Sequence, residues 1–171
     1  MFQVRVIDDM KDYTQYTALT TDTTGPSESA VRLTGTNSLE FSKVDGVANG
    51  KAAGASRTLP GLNLEADGLL LYDKIMWSVY CSVLTAVASC YVKLGTDATH
   101  YLMWTVTDGS MAAGWALCEA EIGTAELGGN GWDPSNITYM EVGVTFDSES
   151  DALDAIKFDS VSIVPCRFTT T

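Results

Sequence analysis

Few residues of this 171-residue chain belong to types that perform covalent chemistry. The sole histidine, His100, lies in Thr99-His100-Tyr101, so any nucleophile–histidine–carboxylate relay must run through it. No Gly-x-Ser-x-Gly turn and no cysteine-nucleophile signature accompanies it, and it reads as an edge-strand or surface histidine. Glu119 and Glu121, two apart, share one face of a strand, and Glu141 and Asp147 are further acids. A pair of carboxyl groups within ~10 Å across a cleft could hydrolyse a glycosidic bond. An acidic chain also sets such pairs on solvated sheet faces with no catalytic role. Cys81, Cys90, Cys118 and Cys166 contain no Cys-x-x-Cys, and one histidine is too few for a mixed zinc site. Each lies in or beside an apolar run, so they are expected as buried free thiols. Gly128-Gly129-Asn130-Gly131 lacks the lysine of a phosphate-binding loop.

The aromatic residues offer a different chemistry. Sugar rings stack their C–H faces on aromatic rings, and their hydroxyls need polar partners. Strand parity groups Trp77 with Ile75 and Val79 in the core. Tyr80 and Tyr91 fall on the opposite faces of their strands, beside Ser78, Ser82 and Lys93. Trp132 lies in a Gly/Asn loop, where binding residues often reside. Tyr80, Tyr91 and Trp132 are therefore the candidate sugar-binding residues, with ordinary packing as the alternative for each.

Positioning such residues requires a framework, and the chain supplies one from short strands. Its length fits one domain spanning residues 1–171, with 46% hydrophobic residues to fill a core. Net charge is −12, which argues against phosphate-mediated nucleic-acid binding and against docking on anionic membranes. No apolar run reaches the ~18 residues needed to span a membrane, and the N-terminus lacks the features of a signal peptide. Candidate strands are residues 2–7, 38–43, 90–94, 100–107, 115–122, 137–146 and 155–164, with one or two more within 69–84 and a possible edge pairing at 30–34. The 69–84 segment places Ile75, Trp77, Val79, Cys81 and Val83 on one face. Residues 8–29 and 44–57 read mainly as loops, as does 123–136. Residues 111–127 have helix-compatible propensity, but internal glycines and the surrounding rhythm favour a strand. The pattern predicts an all-β fold, a two-sheet antiparallel β-sandwich of jelly-roll type, with a short C-terminal tail that frays.

The order of segments carries a resemblance. Ser38-Leu39-Glu40-Phe41 is followed by Ser56-Arg57-Thr58-Leu59 and the 69–83 run, then by Val92-Lys93-Leu94-Gly95-Thr96-Asp97 and Tyr101-Leu102-Met103-Trp104. Gly114-Trp115, Trp132-Asp133-Pro134-Ser135-Asn136-Ile137-Thr138-Tyr139 and Ala155-Ile156-Lys157-Phe158-Asp159-Ser160-Val161-Ser162-Ile163 complete it. This order resembles galactose-binding-like and carbohydrate-binding-module jelly rolls, most of all those in bacteriophage virion proteins. The resemblance implies a non-enzymatic particle component, on capsid or tail, made in the host cytoplasm without a signal peptide. Its expected partners are other virion proteins and further copies of itself, with cell-surface glycans as a possible attachment target. A stand-alone carbohydrate-binding module is the alternative, and a glycoside hydrolase a remote one. The resemblance also implies a structural Ca2+ held near the first strand, for which Asp8, Asp9 and Asp159 are the candidate ligands. Lys11 intrudes where the family carries a Phe-Glu or Phe-Asp pair. The alternative for Asp159 is that it accepts backbone hydrogen bonds at a bulge.

Overall fold

The computed structural model describes residues 4–44, 51–66, 68–129 and 132–166. Alternation of apolar and polar residues decides most of its elements. The strands are β1 (Arg5–Asp8), β2 (Thr17–Ala18), β3 (Thr23–Ser29), β4 (Ser38–Lys43), β5 (Ala52–Leu62), β6 (Lys74–Cys81), β7 (Val87–Gly95), β8 (Tyr101–Thr107), β9 (Gly114–Glu121), β10 (Glu126–Gly128), β11 (Ile137–Phe146) and β12 (Leu153–Val164). All described pairings are antiparallel. One sheet runs β3-β4-β12-β6-β9, with β1 added along the end of β12. The other runs β10-β8-β7-β11-β5-β2. The predicted two-sheet all-β sandwich is thus the observed fold. Among the described residues no helix is long and apolar enough to cross a membrane.

The sheets close on one core. Leu39, Phe41, Ile75, Trp77, Val79, Ile156 and Phe158 face Val92, Leu94, Trp104, Met140, Val142, Val144 and Phe146. The Phe41 and Phe158 rings stack at 5.8 Å. β9 is the strand that helical propensity contested: Cys118 is buried while Leu117 and Glu119 are exposed, the period-2 pattern of an outer strand.

Four strands fall wholly or partly where the sequence predicts loops: β2 and β3 within 8–29, the start of β5 within 44–57 and β10 within 123–136. Within 44–57, residues 45–50 lie outside the described residues, but β5 begins at Ala52. Its small residues are required by the packing. A Cβ added at Gly54 would lie 2.3 Å from the Val142 carbonyl oxygen and 2.7 Å from Leu19 Cδ1. β3 (Thr23–Ser29) is polar because it is an edge strand with little to bury. The expected edge pairing at 30–34 is instead a connection, and Val83, expected in the core, is exposed beyond the end of β6. Phe2 and Gln3 of the expected first strand, Asn130 and Gly131, and the tail after Cys166 lie outside the described residues.

Two buried polar side chains fix the connections. Lys43 is fully buried; its Nζ donates to the carbonyl oxygens of Glu149 at 2.7 Å and Asp151 at 2.6 Å, and lies 5.3 Å from the Phe146 ring centre. This holds the turn between β11 and β12. Asp159 is also buried; its Oδ2 accepts from the backbone N–H of Leu33 at 2.8 Å and of Thr34 at 2.5 Å, and its Oδ1 accepts from the Thr34 hydroxyl at 3.0 Å. The β12 register shifts between Asp159 and Val161, with Ser160 at φ 54°. A bulge therefore stands at the predicted place, but the donors come from the β3–β4 connection rather than from the irregular ladder.

Candidate functional site

The outward face of the second sheet is built from residues in register across its strands. One row runs Glu126–Met103–Lys93–Glu141–Ser56–Thr17 over β10, β8, β7, β11, β5 and β2. A row on one side reads Gly128–Tyr101–Gly95–Tyr139–Thr58, and one on the other Thr105–Tyr91–Gly143–Gly54. Every tyrosine therefore has a glycine as a cross-strand neighbour. The rings use that space. A Cβ at Gly143 would stand 2.4 Å from Tyr91 Oη, and one at Gly128 would stand 2.3 Å from Tyr101 Cζ. With no side chain beneath them, Tyr91 and Tyr101 lie down along the sheet rather than standing out from it.

A charged network occupies the middle row. Glu141 is buried and accepts three contacts: Lys93 Nζ at 2.7 Å and Tyr91 Oη at 2.9 Å on Oε1, and Tyr139 Oη at 2.5 Å on Oε2. Lys93 Nζ also lies 4.6 Å from the Tyr101 ring centre and 5.3 Å from that of Tyr91, within cation–π range. Burial, reinforced by the Glu141 charge, holds the Tyr91 phenol well above its ordinary pKa. Burial and the bond to Glu141 do the same for Tyr139. Both phenols stay protonated and act as donors. The result is a floor of three aromatic rings around one paired carboxylate and ammonium, with Tyr101, Met103 and Tyr139 partly exposed. Apolar ring surface beside fixed donors and acceptors is the combination that a sugar requires.

The sequence-predicted residues are not brought together. Tyr91 belongs to this floor but is buried, because its ring lies over Gly143 instead of presenting a free platform. Tyr80 lies on the outward face of the other sheet, edge-on to Trp115 at 5.6 Å and beneath Lys157 Nζ at 4.5 Å. Trp132 packs partly against the core and lines an apolar pocket of about 270 Å3 with Leu69, Leu71, Leu102, Ile122 and Pro134. Its Nε1 is buried without a partner among the described residues. Lys93, Tyr101 and Tyr139 were not singled out from sequence. Parity places Tyr139 with Glu141 and Tyr91 with Lys93 on polar faces, and the glycines two residues beyond were the remaining signal.

The three aspartates considered for calcium also have separate partners. Asp8 accepts from the Met10 N–H at 2.7 Å and pairs with Arg57. Asp9 pairs with Lys11 at 2.6 Å, a bond that lowers its pKa. Asp159 is engaged by Leu33 and Thr34 as described. Among the described residues no three acidic, cysteine or histidine side chains cluster as a metal would need. His100 is half-buried and pairs with Asp97 at 2.9 Å, and Glu119 pairs with Lys74 on the solvent side.

The fold defines a class, a two-sheet jelly-roll β-sandwich, and it is similar to that of solved carbohydrate-binding modules. The comparisons that support this are structural. The family 11 carbohydrate-binding module from Clostridium thermocellum, in complex with a β-1,3-1,4-mixed-linked tetrasaccharide, aligns with a TM-score of 0.64 at 12% identity, over 94% of this chain and 95% of that one. The family 11 module of the cellulosomal cellulase Lic26A-Cel5E from the same organism aligns with a TM-score of 0.66 at 10% identity, over 100% and 99%. The glycoside hydrolase domain of Endo-D from Streptococcus pneumoniae R6 aligns with a TM-score of 0.52 at 14% identity, over 87% of this chain but 21% of its own. At these identities the likeness establishes the fold. No protein-family model and no curated protein matches the sequence.

Proposed function

We propose that this chain is a non-catalytic carbohydrate-binding module that holds a glycan against the outward face of its second sheet. The observation that carries the proposal is the floor of Tyr91 and Tyr101, laid over cross-strand Gly143 and Gly128, with Tyr139 beside them around the Lys93–Glu141 pair. Tyr101 and Tyr139 offer ring faces for stacking. The central charges and phenols offer directional partners to hydroxyls. The carboxylate is already committed to two phenols and an ammonium, which suits a binding floor better than acid–base catalysis. The full-length structural neighbours are themselves binding modules, and the hydrolase overlaps only a small part of its own chain.

Affinity electrophoresis in soluble β-1,3-1,4-mixed-linked glucan, backed by a glycan array, tests this. Retardation should be reduced about tenfold in Tyr101→Ala and Tyr139→Ala, the loss of one stacking contact worth ~1–1.5 kcal/mol. No retention on any glycan, or retention unchanged in both variants, rejects it. Placement of such a module on a phage capsid or tail, and self-assembly there, rests on the sequence resemblance; immunodetection of the chain in purified particles tests it. A structural Ca2+ likewise rests on the resemblance, and metal content measured on protein purified without chelator tests it.

A further inference from the structure

Two thiols from opposite sheets meet in the core. Cys90 faces inward from β7 and Cys118 from β9, and their Sγ atoms lie 3.5 Å apart, both buried. β7 belongs to the second sheet and β9 to the first, so this contact spans the sandwich. Trp77, the register partner of Cys118 on β6, donates its Nε1–H to Cys90 Sγ at 3.4 Å and closes the pair from a third side. Both thiols are free, as are Cys81 and Cys166. A disulfide needs the sulfurs at ~2.05 Å, a closure of roughly 1.5 Å. The two strands differ in their freedom to supply it. β7 is bonded on both sides, whereas β9 is the last strand of its sheet and is bonded on one side only. Cys118 is therefore carried by an element that can shift toward its partner.

We infer that Cys90 and Cys118 form an oxidisable pair that staples the two sheets together when the chain folds in the presence of a disulfide oxidant. With glutathione disulfide as oxidant, one cysteine thiolate attacks the oxidant and releases one reduced glutathione. The second cysteine then displaces the other glutathione from the mixed disulfide. One S–S bond breaks and one forms, two thiol protons are lost, and two electrons pass to the oxidant. In the folded, reduced protein the hydrogen bond shared with Cys118 and burial hold the Cys90 thiol far above its ordinary pKa. A thiol so held is a poor nucleophile, so the step belongs to the folding chain or to an outward movement of β9. The bridge closes a loop of 28 positions.

The test is refolding of the full chain with reduced glutathione alone or with a mixture of reduced and oxidised glutathione. Alkylation in denaturant, intact mass and peptide mapping follow. The expected oxidised product is about 2 Da lighter before alkylation and carries two alkyl groups fewer than the reduced chain after it, with the Cys90 and Cys118 peptides linked and Cys81 and Cys166 alkylated. It keeps the far-UV spectrum of the reduced protein and melts on the order of 10 °C higher. Cys118→Ala, refolded in the same way, gives no linked peptide and no difference in melting between the two buffers. Four alkylated thiols after oxidative refolding, a link through Cys81 or Cys166, or a Cys90–Cys118 link with no cooperative unfolding would each overturn the inference. These comparisons need no glycan, so they stand or fall separately from the proposed function.

Discussion

On the outward face of the first sheet, Ser27, Glu40, Lys157, Tyr80 and Trp115 follow one another in register across β3, β4, β12, β6 and β9. On the second sheet, Lys93 and Glu141 hold the same adjacent positions, with tyrosines in the rows on either side. Both faces carry a lysine, a glutamate and tyrosine rings, yet they are organised differently. On the first, Lys157 Nζ covers the Tyr80 ring at 4.5 Å and reaches Glu40 at 3.2 Å, while Trp115 meets Tyr80 edge-on. The large residues share one row and consume one another's surfaces. On the second, glycines separate the tyrosines, and the rings spread over three strands. Residue type alone does not make an aromatic floor. The side chain on the neighbouring strand decides whether a ring stands, is covered or lies down.

The largest separation between the faces should come from their carboxylates. Glu141→Gln leaves Lys93 partly buried without its counter-charge and should cost about 3 kcal/mol in urea denaturation. Glu40→Gln on the first sheet, where Glu40 is partly exposed and the buried Lys157 keeps the Ala155 carbonyl oxygen as an acceptor at 2.9 Å, should cost under ~1 kcal/mol. Equal costs would break the comparison. Gly143→Ala should come next. Its Cβ would stand 2.4 Å from Tyr91 Oη and 2.8 Å from the Ala53 carbonyl oxygen, so the ring must lift. We expect a loss of about 1–3 kcal/mol together with weakened glycan retention; unchanged retention would mean that the lowered ring is not needed for binding.

Alkaline pH should expose the same asymmetry. Tyr91 and Tyr139 have folded-state pKa values raised above the unfolded value of ~10. Their stabilising contribution is therefore complete below pH ~10 and is lost as pH rises beyond it. Stability measured from pH 8 upward should fall above ~10, and the fall should be shallower in Tyr139→Phe; an unchanged slope would remove this phenol from the account. The smallest effect expected is that of Tyr80→Ala on glycan retention: less than about twofold, because Trp115 packs edge-on against its ring in addition to the lysine above it. A large loss would move the binding face to the first sheet.

Much of this architecture was legible in the sequence because alternation reports directly on burial in a sandwich. β11 and β12 announce themselves through Met140, Val142 and Val144 and through Ile156 and Phe158. Parity also placed Tyr80 and Tyr91 away from the core. What it could not show is what lies across the strand. Nothing local to Tyr91 says that Gly143 is its neighbour, 52 positions on in the chain. The two longest of the strands that read as loops, β5 and β3, are disguised for a related reason. β5 is made of Ala and Gly because Leu19 and the β11 backbone approach closely, and β3 is polar because it is an edge; both compositions mimic loops. Asp159 was correctly suspected of a structural role, and its bulge was foreseen. Its partners were not, since Leu33 and Thr34 lie 125 or more positions away.

That clasp has a consequence for how the domain meets its surroundings. By drawing Leu33 and Thr34 down onto Asp159, with Ser78 buried beside it, the β3–β4 connection roofs part of the first sheet's outer surface. The first sheet is thereby covered on part of its outer surface, at the Asp159 end, while Tyr101 and Tyr139 on the second sheet stay partly exposed. One buried carboxylate thus makes the two outer surfaces unequal, since Asp159 holds a connection over the first sheet alone.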